Sequence, residues 1–187
     1  VQWHNTRFMG LEVNEYLKGT NRVIAFIGGA QVDQYGNVNS TCIGDYHRPK
    51  ARFSGSGGAN GIATVNNTII MMKHSKRKFV EKVDYITSPG WIDGKDGRKN
   101  TNLPPEVGPR IVISDLGIMK FDEETKKMYI YGYYPYSSVE EIKENTSFEI
   151  YGSGAIEMEE PSKEIIKYIR EEVDPFEIFN KYSEASL

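Results

Sequence analysis

Thiols, imidazoles and charge of a single sign are all scarce in this sequence. It has one cysteine, Cys42, and three histidines in 187 residues. A single thiol cannot close a disulfide within the chain and offers no cysteine cluster for a metal, which favours a cytoplasmic setting. His4, His47 and His74 are scattered without ligand spacing, so each reads as structural or exposed. The 23 basic and 26 acidic residues leave a net charge of −3 with both signs interspersed, which excludes a surface built to coat nucleic acid. No apolar run approaches the roughly 20 residues of a membrane-spanning helix; VIAFI and TIIMM have the length of strands. A Walker A lysine, an HExxH pair and a GxSxG elbow are also missing.

What is present is concentrated in residues 28–61, which read GGAQVDQYGNVNST, CIGDYHRPKARF and then GSGGANG. Such sequence is poor material for a core. Gly55, Gly57, Gly58 and Gly61 let the backbone take positive φ and come close to a ligand. Gln31, Asn37, Asn39 and Asn60 offer donors and acceptors without a titratable charge. Together they predict a polar binding site built from main-chain N–H groups.

The rest is ordinary globular sequence. With 39% hydrophobic residues and twelve tyrosines, residues 1–187 are expected to form one domain. A short helix is expected over Leu11–Leu17, and buried strands over Arg22–Ile27 and Thr68–Met72. Phe79–Ile86 suits a third strand or extended segment. Thr87–Pro109 is long, rich in Gly and Pro and without periodicity, the signature of a lid, an interface arm or a disordered loop. RIVISD, Ile118–Asp122 and Lys127–Tyr134 read as a β-meander. Ser138 with Glu141 forms a capping box for a helix to about Asn145. Ser162 opens a last helix carrying Ile165, Ile166, Ile169 and Val173 on one face, ended by Asp174-Pro175. Buried strands mixed with helices indicate an α/β domain.

GSGGANG resembles a dinucleotide fingerprint, but DYHRPK rather than a buried strand precedes it, so that use is rejected. Two readings stay open: a tightly packed turn, or N–H groups aimed at developing negative charge, an oxyanion hole. The basic run Lys73 to Lys78 is expected to be a solvated face, and Glu12 and Glu15 a helix surface. Cys42, with no activating base nearby in sequence, reads as a small buried residue.

GGAQVDQYGNVNST, IGDYHRPKARFSGSGGANGIA, KRKFVEKVDYITSPGWIDG and SDLGIMKFDEETKKMY closely resemble B subunits of the class I CoA-transferases of the glutaconate type. The similarity runs from RFMGLEVNEYL to IREEVDP. It implies an open, mainly parallel α/β sheet flanked by helices and a homologous A subunit in a hetero-oligomer. It implies coenzyme A as a substrate, no permanently bound cofactor, and transfer of CoA between acetyl-CoA or another acyl-CoA and a short dicarboxylate such as glutaconate. In the family a glutamate attacks the thioester, and CoA passes through a glutamyl thioester. The resemblance assigns the backbone donor of the oxyanion hole to Gly58, with Gly57 and Ala59 shaping the turn and Gln31, Asn37 and Asn60 as substrate or CoA contacts. It puts the nucleophilic glutamate upstream of Val1, so a longer natural chain is expected. Acyl-CoA decarboxylases and hydrolases share the scaffold and are the alternative, as is a non-catalytic role in assembly.

Overall fold

In the computed structural model, residues 24–65 and 67–178 are described, and they fall into two compact units, one ending at Glu157 and the other beginning at Met158. The expected helix over Leu11–Leu17 and the first residues of RVIAFI lie outside the described residues.

The first unit is organised by a six-stranded sheet. Its strands are β1 (Ile24–Ile27), β6 (Asn67–Met71), β7 (Pro109–Ile113), β8 (Gly117–Phe121), β9 (Met128–Tyr133) and β10 (Ile156–Glu157), neighbours in that order. β1–β6, β6–β7 and β9–β10 pair in parallel, whereas β7–β8–β9 is the expected antiparallel meander. The sheet is thus mostly parallel, as the resemblance implies. Two short hairpins lie in the crossover from β1 to β6: β2 (Gln31–Val32) with β3 (Val38–Asn39), and β4 (Cys42–Ile43) with β5 (Ala51–Arg52). A single turn of helix, α1 (Ala59–Ile62), follows.

Alternation decides which side chains reach the core. Ile27, Ile70, Val112, Met119, Met128 and Ile130 point to one face of the sheet, where Val32, Val38, Ala59 and Phe79 from the crossovers close over them. The run RVIAFI reads as buried throughout, and here the structure differs. In β1 only Ile27 is buried; Ile24 and Phe26 are 59% and 61% exposed, because alternation turns them to the sheet face opposite Ile27.

Of the two forms expected for Phe79–Ile86, the strand does not form. The segment meets the first hairpin at one isolated bridge, Val32 with Phe79. Further along, the Gln31 side chain accepts from Asp84 N–H at 3.0 Å, a side-chain bond where a strand partner would offer a backbone acceptor.

The helix signals hold. Ser138 accepts from Glu141 N–H at 3.1 Å to start α2 (Val139–Glu144). In the second unit Ser162 accepts from Ile165 N–H at 3.2 Å to start α3 (Lys163–Tyr168), which loosens into a π turn over Ile169–Val173.

Candidate functional site

Both loops singled out by sequence belong to the β1–β6 crossover, and the fold brings them together. Phe53 N–H donates to Thr41 O at 2.9 Å, and Ser40 Oγ lies 3.4 Å from Gly55 O. Thr87 ties in the far loop: its Oγ1 accepts from Ser40 N–H at 2.9 Å and lies 2.7 Å from Thr41 Oγ1.

The first loop is a closed hydrogen-bonding unit. Asp33, 2% exposed, accepts from the N–H groups of Tyr35 and Asn37 and from Asn37 Nδ2 at 2.9 and 3.1 Å. Burial pushes its carboxyl above the usual range, and the Asn37 and Tyr35 bonds pull it partly back. Asn37 Nδ2 also donates to Ile92 O at 2.7 Å, while its Oδ1 accepts from Gly90 N–H and Ile92 N–H at 2.9 and 3.2 Å. Ile92 has φ of 62°, a left-handed conformation costly for a β-branched residue, and Asn37 bonds both its N–H and its carbonyl. Gln31 is spent in the same way: Oε1 accepts from Asn39 Nδ2 and Asp84 N–H, and Nε2 donates to Asp84 Oδ2 at 3.1 Å.

Gln31 and Asn37, expected as contacts to substrate or CoA, are 6% and 1% exposed with both ends of each carboxamide hydrogen-bonded within the protein, so in this structure they brace the loop.

The second loop is the opposite. Gly57 and Gly58 are exposed, and a Cβ added at Gly55, Gly57 or Gly58 would meet nothing within 4 Å. Gly55 and Gly57 have φ of 92° and 50°, so the turn itself requires glycine there. Gly58 has φ of −91° and leads into α1. Among the described residues the N–H groups of Gly57 and Gly58 donate to no protein acceptor. Ala59 is buried at 8%, and its N–H is taken by Ser56 O at 2.7 Å. Asn60 is exposed. Among the described residues nothing packs against the three glycines, and a turn with unspent main-chain donors at an open surface can hold an oxyanion.

Of two further buried groups, Arg98 was not singled out by the sequence, and His74 takes the structural of its two expected roles. Arg98 is 1% exposed and donates through Nη2 to Ala63 O at 2.5 Å. It lies in GKDGRKN, which reads as a solvated turn and carries no signal of burial. His74 sits inside the basic run expected to be solvated. It is stacked on Phe79 at 3.7 Å between centroids, with Nδ1 2.9 Å from Ser114 Oγ and Nε2 3.0 Å from Thr146 Oγ1. Burial lowers its pKa to about 4, against the pull of Asp115. It is a neutral structural pin. Among the described residues no cluster of three or more His, Cys, Asp or Glu could hold a metal ion, and no helix is long and apolar enough to cross a membrane.

Comparison with known proteins gives this arrangement its context. Residues 4–145 match the model of the coenzyme A transferase family. The chain is 63% identical over 177 residues to the B subunit of glutaconate CoA-transferase from Acidaminococcus fermentans, covering 95% of this chain and 66% of that relative. The crystal structure of the Acidaminococcus enzyme superposes with a TM-score of 0.88, over 95% of this chain and 68% of that one. The B subunit of 3-oxoadipate CoA-transferase from Pseudomonas knackmussii is 40% identical over 136 residues, 72% of this chain and 52% of the relative. A third relative, the IpdB subunit of a cholesterol ring-cleaving hydrolase from Rhodococcus jostii, is 29% identical over 153 residues, 80% of this chain and 58% of its own length. The chain therefore spans between about half and two thirds of the length of these relatives. By the family match across most of its length, and by a fold that superposes on a solved member, the chain belongs to the coenzyme A transferase family.

Proposed function

We propose that this chain is the B-type subunit of a cytoplasmic CoA-transferase that moves CoA from acetyl-CoA, or another acyl-CoA, to a short dicarboxylate such as glutaconate. It works beside a homologous A subunit, with coenzyme A entering only as part of the substrates. The observation that carries the proposal is the open glycine turn, whose Gly57 and Gly58 N–H groups are unspent while the carboxamides of Gln31, Asn37 and Asn39 are committed to scaffold.

In this scheme a glutamate carboxylate outside the 187 residues attacks the thioester carbonyl. The resulting tetrahedral oxyanion collapses to a mixed anhydride and releases CoA thiolate. The thiolate attacks the glutamyl carbonyl of that anhydride, forming the glutamyl-CoA thioester and freeing the first acid. The second acid then runs the steps in reverse. Covalent storage of CoA keeps water out of the exchange. Gly58 N–H supplies a donor to the oxyanion, and Gly57 and Ala59 set the turn. Loss of one such donor costs about 10²–10³ in rate in comparable sites. Asn60, exposed beside the turn, is the side chain available to touch the passing substrate.

The test uses the full-length chain assembled with its A subunit. CoA exchange between acetyl-CoA and glutaconate is followed, and borohydride reduction after acyl-CoA treatment traps the glutamyl thioester. Absence of both exchange and adduct sinks the proposal. The IpdB likeness supports a second reading, thioester-dependent hydrolysis; release of free CoA without an acceptor acid would favour it.

A further inference from the structure

One buried cation ties the 87–109 loop to the glycine turn. Arg98 is 1% exposed, yet Nε and Nη1 have no hydrogen-bond partner among the described residues. Its one polar contact is Nη2 to Ala63 O at 2.5 Å, and its guanidinium lies 6.0 Å from the Trp91 ring. The described ion pairs, all on exposed side chains, do not include it. Burial lowers its pKa to about 10, which leaves it charged at neutral pH. A buried charge with a single carbonyl partner works against folding, so stability does not account for it. What it holds does.

Ala63 closes α1, the turn of helix that begins at Gly58, and Ile62 N–H donates to Gly58 O at 3.1 Å. The glycine turn has open space around its three glycines, so its only packed anchor among the described residues is the Ala59 end, in the core. Arg98 itself is set on a braced support. Trp91 N–H donates to Tyr35 O at 2.9 Å, its indole N–H to Pro109 O at 3.2 Å, and Asn37 holds Gly90 and Ile92. Besides the direct Phe53–Thr41 and Ser40–Gly55 contacts, which reach the start of the open turn, a second path from the locked loop runs through the guanidinium to its far end.

We propose that Arg98 is the positioning residue of the glycine turn: its charge-assisted bond to Ala63 O holds α1, and through it the Gly58 N–H, in the direction needed at the reacting carbonyl. This inference rests on the CoA-transfer reading above. Small misplacements of a catalytic donor cost up to about 10²-fold in rate, which sets the expected size of the effect.

The test uses the assembled full-length enzyme with Arg98→Met, which keeps an unbranched chain of similar length, and Arg98→Lys, which keeps a cation able to donate. For Arg98→Met, kcat falls about 10- to 100-fold with KM for acyl-CoA within about twofold. Its thermal midpoint is unchanged or higher, as expected on removing an unpaired buried charge. Amide exchange speeds up over residues 57–63 and not in β7–β9. Arg98→Lys recovers most of kcat. Wild-type kcat in Arg98→Met overturns the inference, and so does a loss of kcat that tracks a lower midpoint with exchange accelerated everywhere. Should the wild-type complex transfer no CoA, the functional reading fails. The exchange pattern alone then decides Arg98: faster exchange confined to 57–63 upholds its hold on the turn, and unaltered exchange refutes it.

Discussion

The loop at residues 31–42 and the turn at 53–58 sit in the same crossover and share a composition of glycine and polar residues, yet they are built on opposite plans. In the first, Gln31, Asp33, Asn37 and Asn39 are each 6% exposed or less and bond to one another or to neighbouring backbone. The glycine packed against it, Gly90, leaves no room: a Cβ there would lie 2.4 Å from the Gly36 carbonyl. In the second, the glycines face open space. Polar residues at a site can therefore be its frame rather than its working face, and in the proposed mechanism the working atoms are main-chain N–H groups. The locked loop supplies rigidity that the open turn lacks.

This contrast can be broken most readily at Asn37. Asn37→Ala strips donors from the Asp33 carboxylate and leaves the Gly90 and Ile92 N–H groups without their acceptor. Buried groups abandoned in this way cost about 3–5 kcal/mol, measurable by urea unfolding; a loss below about 1 kcal/mol would mean that the loop is not the frame described. Gly58→Pro comes next. It removes the donor from the open turn, and kcat of the assembled enzyme is expected to drop about 10²–10³-fold while the unfolding midpoint holds.

His74 sharpens the comparison from outside both loops. Its pKa of about 4 in the fold lies below the ordinary 6.5, so the unfolded chain takes the proton first as pH falls. Stability is complete above about 6.5 and declines between 6.5 and 4, by up to about 2–3 kcal/mol. Denaturant titrations across that window should show the slope, and His74→Gln should flatten it. The smallest effect is expected at Gly58→Ala. With nothing within 4 Å of the new methyl and φ of −91°, stability should change by less than about 1 kcal/mol, towards stabilisation. Differential scanning calorimetry checks this, and a marked loss would show the turn to be packed after all.

Much of this was legible in advance. The meander 109–133 announced itself through alternation, and Ser138 and Ser162 marked helix starts because capping is a local bond between residues three apart. GSGGANG stood out because consecutive glycines free of core residues have few uses. The fate of the carboxamides was not legible. Gln31 and Asn37 find their partners at Asp84, Gly90 and Ile92, more than fifty residues on, and composition says nothing of that. Arg98 and His74 were hidden for the same reason: each lies in a charged, polar stretch, and burial came from surfaces contributed by Ala63 and Trp91, or by Phe79, Ser114 and Thr146.

The amino-acid order alone determined the local features, namely strand and helix patterns, caps, the glycine turn's conformational freedom and the family to which the motifs belong. These depend on residues near in sequence. Tertiary structure alone decided which polar atoms were left unspent among the described residues, because hydrogen bonds are saturable and distant partners had already claimed the side chains, while the N–H groups of Gly57 and Gly58 kept no acceptor.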